Sequence, residues 1–196
     1  MKRTFHSIII LLSAVMLMVT QPLSAQKTIR MNLERMVNDA GMIVHGTVTD
    51  VVSAVDPQTN ILSTFVTIAV KEDFYGAGRS TVTLKMVGGA TKKSTLRFAE
   101  MPRFTIGEEI YSLFYAPSKF GFTSPVGMGQ GKFSVTTDAA TGTVSVRNAV
   151  GNARLFSGMK SAALSKSLPA ASNNAQHLTA DELTSAIRSL VTTLKK

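Results

Sequence analysis

From Met31 to Ala40 the apolar residues fall at Leu33, Met36, Val37 and Ala40, the i, i+3, i+4, i+7 spacing of a helix with one buried stripe. Gly41 follows where helices commonly stop. The rhythm then shortens. Met42 to Val55 carries Ile43, Val44, Val48, Val51, Val52 and Val55, a β-branched set that favours a strand, with Gly46 inside it as a bulge or tight bend. Asp56-Pro57-Gln58-Thr59-Asn60 is turn chemistry. Ile61 to Phe74 then puts Thr64, Val66, Ile68 and Val70 on one face, and it pairs back on its predecessor as a long hairpin. Thr81 to Val87 sets Val82, Leu84 and Met86 against Thr81, Thr83 and Lys85, which predicts one dry and one wet face.

Gly88-Gly89 turns the chain, and Ser94 to Phe98 predicts a short return strand. Turns at Met101-Pro102-Arg103 and Gly107-Glu108 lead into Ile110 to Ala116, aromatic and aliphatic enough to be central in a sheet. Gly131 to Thr136 and Thr143 to Asn148 flank one more turn. Strands at this spacing argue for a mainly β fold. Internal glycine in long strands suits barrel corners, so the expectation is a small barrel over residues 26–150, closed or partly open.

Beyond Gly151 the composition changes. Residues 151–177 read as a linker, rich in Ser, Ala, Asn and Lys from Lys160 to Gln176. Residues 178–196 form a C-terminal helix: Thr179 and Glu182 make a capping box, followed by Leu183, Ile187, Leu190, Val191 and Leu194 at helical spacing. Asp181, Glu182 and a single Arg188 give it little of the cationic face of a membrane-surface helix, so packing on the barrel is expected.

The first 25 residues stand apart. Lys2 and Arg3 precede an apolar run from Ile8 to Val19 and the small pair Ser24-Ala25, the layout of a secretory signal peptide. The run is about 12 residues against roughly 20 for a permanent span, so the expectation is cleavage after Ala25, with no transmembrane anchor left behind. The product would be exported, periplasmic or secreted, with 19 basic and 12 acidic residues. That excess attracts anionic surfaces. Export and the scattered placement of the charges argue against nucleic acid. An anionic cell-envelope surface or another protein is the expected partner.

Reactive groups are sparse. The chain has no cysteine, which removes disulfides, thiolate ligands and a thiol nucleophile. Outside the leader the histidines are His45 and His177, and no HExxH spacing or GxSxG elbow exists. Neighbouring acids such as Glu108-Glu109 point to opposite faces of a strand and do not assemble a glycosidase pair. The glycine cluster Gly127-Met128-Gly129-Gln130-Gly131-Lys132-Phe133 lacks the first glycine and the Ser/Thr of a phosphate loop, and a strand follows it where that motif requires a helix. Two readings of this cluster remain: glycine permitting close backbone approach, or a binding loop that uses the Gln130 amide and the Lys132 ammonium.

The stretch Met36 to Val48, the Gly88-Gly89 turn, Pro102 to Glu109 and Gln130-Gly131-Lys132-Phe133 together resemble a family of uncharacterised secreted bacterial proteins. Its pattern is a helix, an ADxIVxGxV-like strand, a PxFxxGE turn and a QGxF strand. Gly41 stands where that pattern carries aspartate. More distantly the layout is similar to netrin-like and OB-type barrels, which makes the expected barrel a small OB-like/netrin-like barrel; some of those proteins inhibit metalloproteases through an N-terminal cysteine that this chain lacks. The resemblance implies no catalytic residue. The combined expectation is an exported, non-enzymatic binding module without metal or cofactor, using Arg103, Gln130 and Lys132 as contacts. The alternative is an inhibitor or regulator of an exported protease.

Overall fold

The computed structural model describes residues 29–160 and 178–196. The leader, His177 and the body of the expected linker lie outside the described residues. Helix α1 (Leu33–Asp39) opens on Asn32, whose side chain accepts from the Arg35 amide at 2.9 Å, and it buries Leu33, Met36 and Val37. Gly41 serves close approach and not a left-handed stop: a Cβ there would lie 2.6 Å from the Ala116 backbone.

Strands β1 (Met42–Val55) and β2 (Leu62–Tyr75) form the long hairpin. Its ladder slips between His45 and Gly46, where a side chain on Gly46 would strike the Ala69 carbonyl. β3 (Thr81–Val87) follows, then a small hairpin of β4 (Gly89–Ala90) and β5 (Thr95–Leu96), then β6 (Glu109–Phe114), β7 (Lys132–Thr137) and β8 (Val144–Asn148). The main sheet is antiparallel in the order β3-β2-β1-β6-β7-β8. Helix α2 (Ala180–Leu194) begins with the capping box of Thr179 and Glu182.

The architecture is mainly β with a helix near each end, as the pattern predicts, but the sheet does not close into a barrel. Each of its two edges is met at one point by another part of the chain. Beside β3, Thr123 N–H donates to the Lys85 carbonyl at 2.9 Å; beside β8, the Leu178 carbonyl accepts from Val146 at 2.9 Å. The sheet is also dry on both faces at its centre. Ile43, Tyr111, Leu113, Phe133 and Val146 pack under α1 and α2, with Leu183, Ile187 and Leu190 of α2 fully buried. Val44, Val48, Ile68, Leu84, Ile110 and Phe114 form a second core on the opposite face. Small closed barrels bury one face of each strand. Here β1 and β6 bury both, and the helices occupy the face that a barrel would leave wet.

The stretch from Gly151 to Lys160, expected as the start of a linker, is folded onto the body. Leu155 is buried and its carbonyl accepts from Leu33 at 2.7 Å. Asn148 and Asn152 lock this corner: the Asn152 amide donates to the Val146 carbonyl at 2.8 Å, and its Oδ1 accepts from Asn148 N–H at 2.9 Å. Composition did not show this, because the corner is locked by two asparagines whose partners are main-chain groups brought close only by the fold.

Candidate functional site

Of the three residues expected to contact a ligand, two are internal. Gln130 is 3% exposed; its carbonyl oxygen accepts from Met31 N–H at 3.0 Å and its amide donates to the Ile29 carbonyl at 3.0 Å. It staples the segment ahead of α1. The glycines around it serve close packing, since a Cβ on Gly129 would lie 2.7 Å from Ala149 Cβ. Lys132 is 8% exposed and donates to Glu108 at 2.5 Å and to the Arg103 carbonyl at 2.8 Å, with its ammonium 5.1 Å from the Phe104 ring centre. Glu108 also accepts from Ser134 Oγ at 2.6 Å. Burial pushes the Glu108 carboxyl up, but the hydrogen bonds from Lys132 and Ser134 and the Lys132 charge outweigh it and hold the group below its ordinary value. Both side chains are therefore spent inside the protein, and only Arg103 is left exposed.

His45 is likewise committed. Its ring stacks on Tyr111 at 4.1 Å between centroids and pairs with Glu109 at 2.7 Å, while Lys71 reaches the other Glu109 oxygen at 2.8 Å. The bond from Lys71, then that from His45, holds the Glu109 carboxyl below its ordinary value. Tyr111 bonds Thr184 of α2 at 3.0 Å, and Arg188 of the same helix pairs with Glu72 at 2.7 Å. These residues fasten α2 to the sheet. Among the described residues no group of three or more His, Asp or Glu side chains could hold a metal ion.

The open chemistry lies on the other side of the molecule. Gly88 and Gly89, at φ 96° and 146°, fold the β4–β5 hairpin back over the β1–β2 arm, and a Cβ on Gly89 would meet Ser53 Oγ at 2.5 Å. Thr64 Oγ1 donates to the Gly88 carbonyl at 2.7 Å and pins the turn. The chain after β5 is tied at its far side, where the Glu100 carbonyl accepts from Gly129 at 2.9 Å. Two clefts result. One, about 380 Å³, lies between the arm and the hairpin, walled by Val51, Met86, Leu96 and Phe104 with Arg97 and Arg103 beside them. The second, about 410 Å³, is walled by Tyr115, Ala116, Phe122 and Met128. They share Val87, Phe98 and Met101.

Both volumes suit a small ligand or a side chain; the second cleft is mainly apolar, while the first mixes apolar walls with Ser53, Thr64 and the two arginines. Phe98 is 47% and Leu96 38% exposed, costly placements for residues that no core requires. No histidine or carboxylate lines either cleft. From Gly89 to Arg103 the basic residues are Lys92, Lys93, Arg97 and Arg103 against the single acid Glu100, so the rim is positive. Sequence reasoning placed the Gly88-Gly89 turn, the return strand and Arg103 but missed Phe98 and Met101 as a site. The available signal was a large aromatic just past a short strand, beside clustered cations.

No family model, curated protein or solved structure matches this chain. Among the described residues no helix is long and apolar enough to cross a membrane.

Proposed function

We propose that this chain is an exported, non-enzymatic binding module whose ligand sits in the double cleft around Phe98 and Met101. One observation carries the reading: a concave apolar surface under a cationic rim, with no acid, base or paired nucleophile in its lining. Such a surface holds a molecule with an apolar body and a negative group, the kind of partner that the basic chain and the signal-like leader suggest. Equilibrium titration with an aromatic sulfonate dye is the test. Phe98→Ser and the pair Arg97→Glu with Arg103→Glu should each weaken binding about tenfold, and equal binding by parent and variants would remove the reading. Recovery from the cell envelope of a chain beginning at Gln26, read by mass spectrometry, tests export separately.

Regulation of an exported protease is the second reading, and it too has an observation behind it. Ile106 is 61% exposed at a turn held by Thr105–Glu108 bonds, with Glu108 anchored on Lys132. A preorganised apolar tip is what an enzyme cleft can accept at low entropic cost. Undiminished activity of envelope proteases at saturating protein would discard it.

A further inference from the structure

The edge of β3 bears on what the double cleft accepts. Gly88 N–H donates to the Leu62 carbonyl at 2.8 Å, one step beyond the Ser63–Val87 pair of the β2–β3 ladder. In an antiparallel ladder, residues bonded to the partner alternate with residues whose N–H and C=O point away from it. Val87 is thus of the outward kind. So is Lys85, and its outward carbonyl is taken by Thr123 N–H at 2.9 Å, in a parallel bridge with Phe122. The chain then leaves β3. Ser124 accepts from Tyr115 at 3.0 Å and Pro125, which has no N–H, bridges to Phe114. Among the described residues no partner covers the outward N–H and C=O of Val87.

Val87 is also where the two clefts meet. A lipid tail or flat aromatic body laid there would strip water from a backbone donor and acceptor and return no hydrogen bond, a loss comparable to leaving a buried amide unpaired. An extended peptide avoids this cost. Its own N–H and C=O pair with Val87, its neighbouring side chains enter the clefts, and an acidic residue meets Arg97 and Arg103.

Resting on the cleft reading above, we propose that the ligand is an extended, acidic segment of another protein, added beside β3 at Val87 with apolar side chains in the clefts on either side of Phe98.

The test uses the full chain and a fluorescein-labelled heptapeptide of alternating leucine and glutamate, followed by fluorescence anisotropy. Three changes should each weaken binding at least tenfold: N-methylation of the central peptide amides, lysine in place of glutamate, and Arg97→Glu combined with Arg103→Glu. Val87→Pro removes the outward N–H without costing a ladder bond and should do the same, with dodecanoate titrated against the parent chain as a second, lipid-like probe; if that variant unfolds, the N-methylated peptides decide alone. Peptide binding indifferent to N-methylation or to charge overturns the proposal. Saturable dodecanoate binding without peptide binding overturns strand addition and leaves the cleft standing as a lipid site. Failure of both probes removes the cleft reading as well.

Discussion

The two faces of the sheet treat their large side chains differently. Under the helices, Phe133, Leu183, Ile187 and Leu190 are wholly buried and the polar groups His45, Glu109, Tyr111, Glu72 and Arg188 are paired off. On the cleft side, the Phe104 and Phe114 rings lie 6.3 Å apart in the second core, yet Phe98 and Leu96, which line the cleft with Phe104, remain partly in water. Buried apolar area is stability, whereas a partly exposed aromatic held by glycine turns and backbone bonds is stability forgone. The contrast separates a face closed by the two helices from one that leaves two clefts open to solvent.

The largest effect should come from the helix face. Phe133→Ala should cost about 3–5 kcal/mol in chemical denaturation, because its cavity lies where sheet and helices meet; a loss below about 1 kcal/mol would show that this face is looser than its burial implies. Lys132→Met should cost about 3 kcal/mol by leaving Glu108 without its cation, and adding Glu108→Leu should recover most of that loss. If the double variant is no better than the single one, Lys132 acts through Phe104 packing and not through its charge.

Acid should weaken the same anchor. Glu108 has a folded-state value below the ordinary 4.5, so its contribution is complete above that value and is lost as pH falls through the lower, folded one. Glu108→Gln should therefore flatten the fall in stability below pH 4.5 relative to the parent, measured as melting temperature against pH. Arg188→Ala, which breaks an exposed pair, should cost less than about 1 kcal/mol. Smallest of all, Phe98→Ser should change stability by no more than about 0.5 kcal/mol while reducing ligand binding. A large loss of stability there would collapse the distinction between the two faces.

Local signals were reliable where neighbours in sequence are neighbours in space. The strand at Met42–Val55, the bend at Gly46, the alternation in Thr81–Val87 and the capping box at Thr179 were all readable because each depends on residues a few positions apart. Gln130 and Lys132 misled for the opposite reason. Their partners Met31 and Glu108 are separated from them by 99 and 24 residues, so nothing nearby marks an amide or an ammonium as already engaged.

The order of letters alone determined a mainly β chain with a helix near each end, since period, turn chemistry and caps are properties of short segments. Only the folded arrangement decided that the sheet stays open, that the glycine-rich run is packing and not a loop for ligand, and that Phe98, Met101 and Val87 come together. Each of those outcomes depends on which distant backbone reaches a given edge or cation first, a competition settled by three-dimensional proximity.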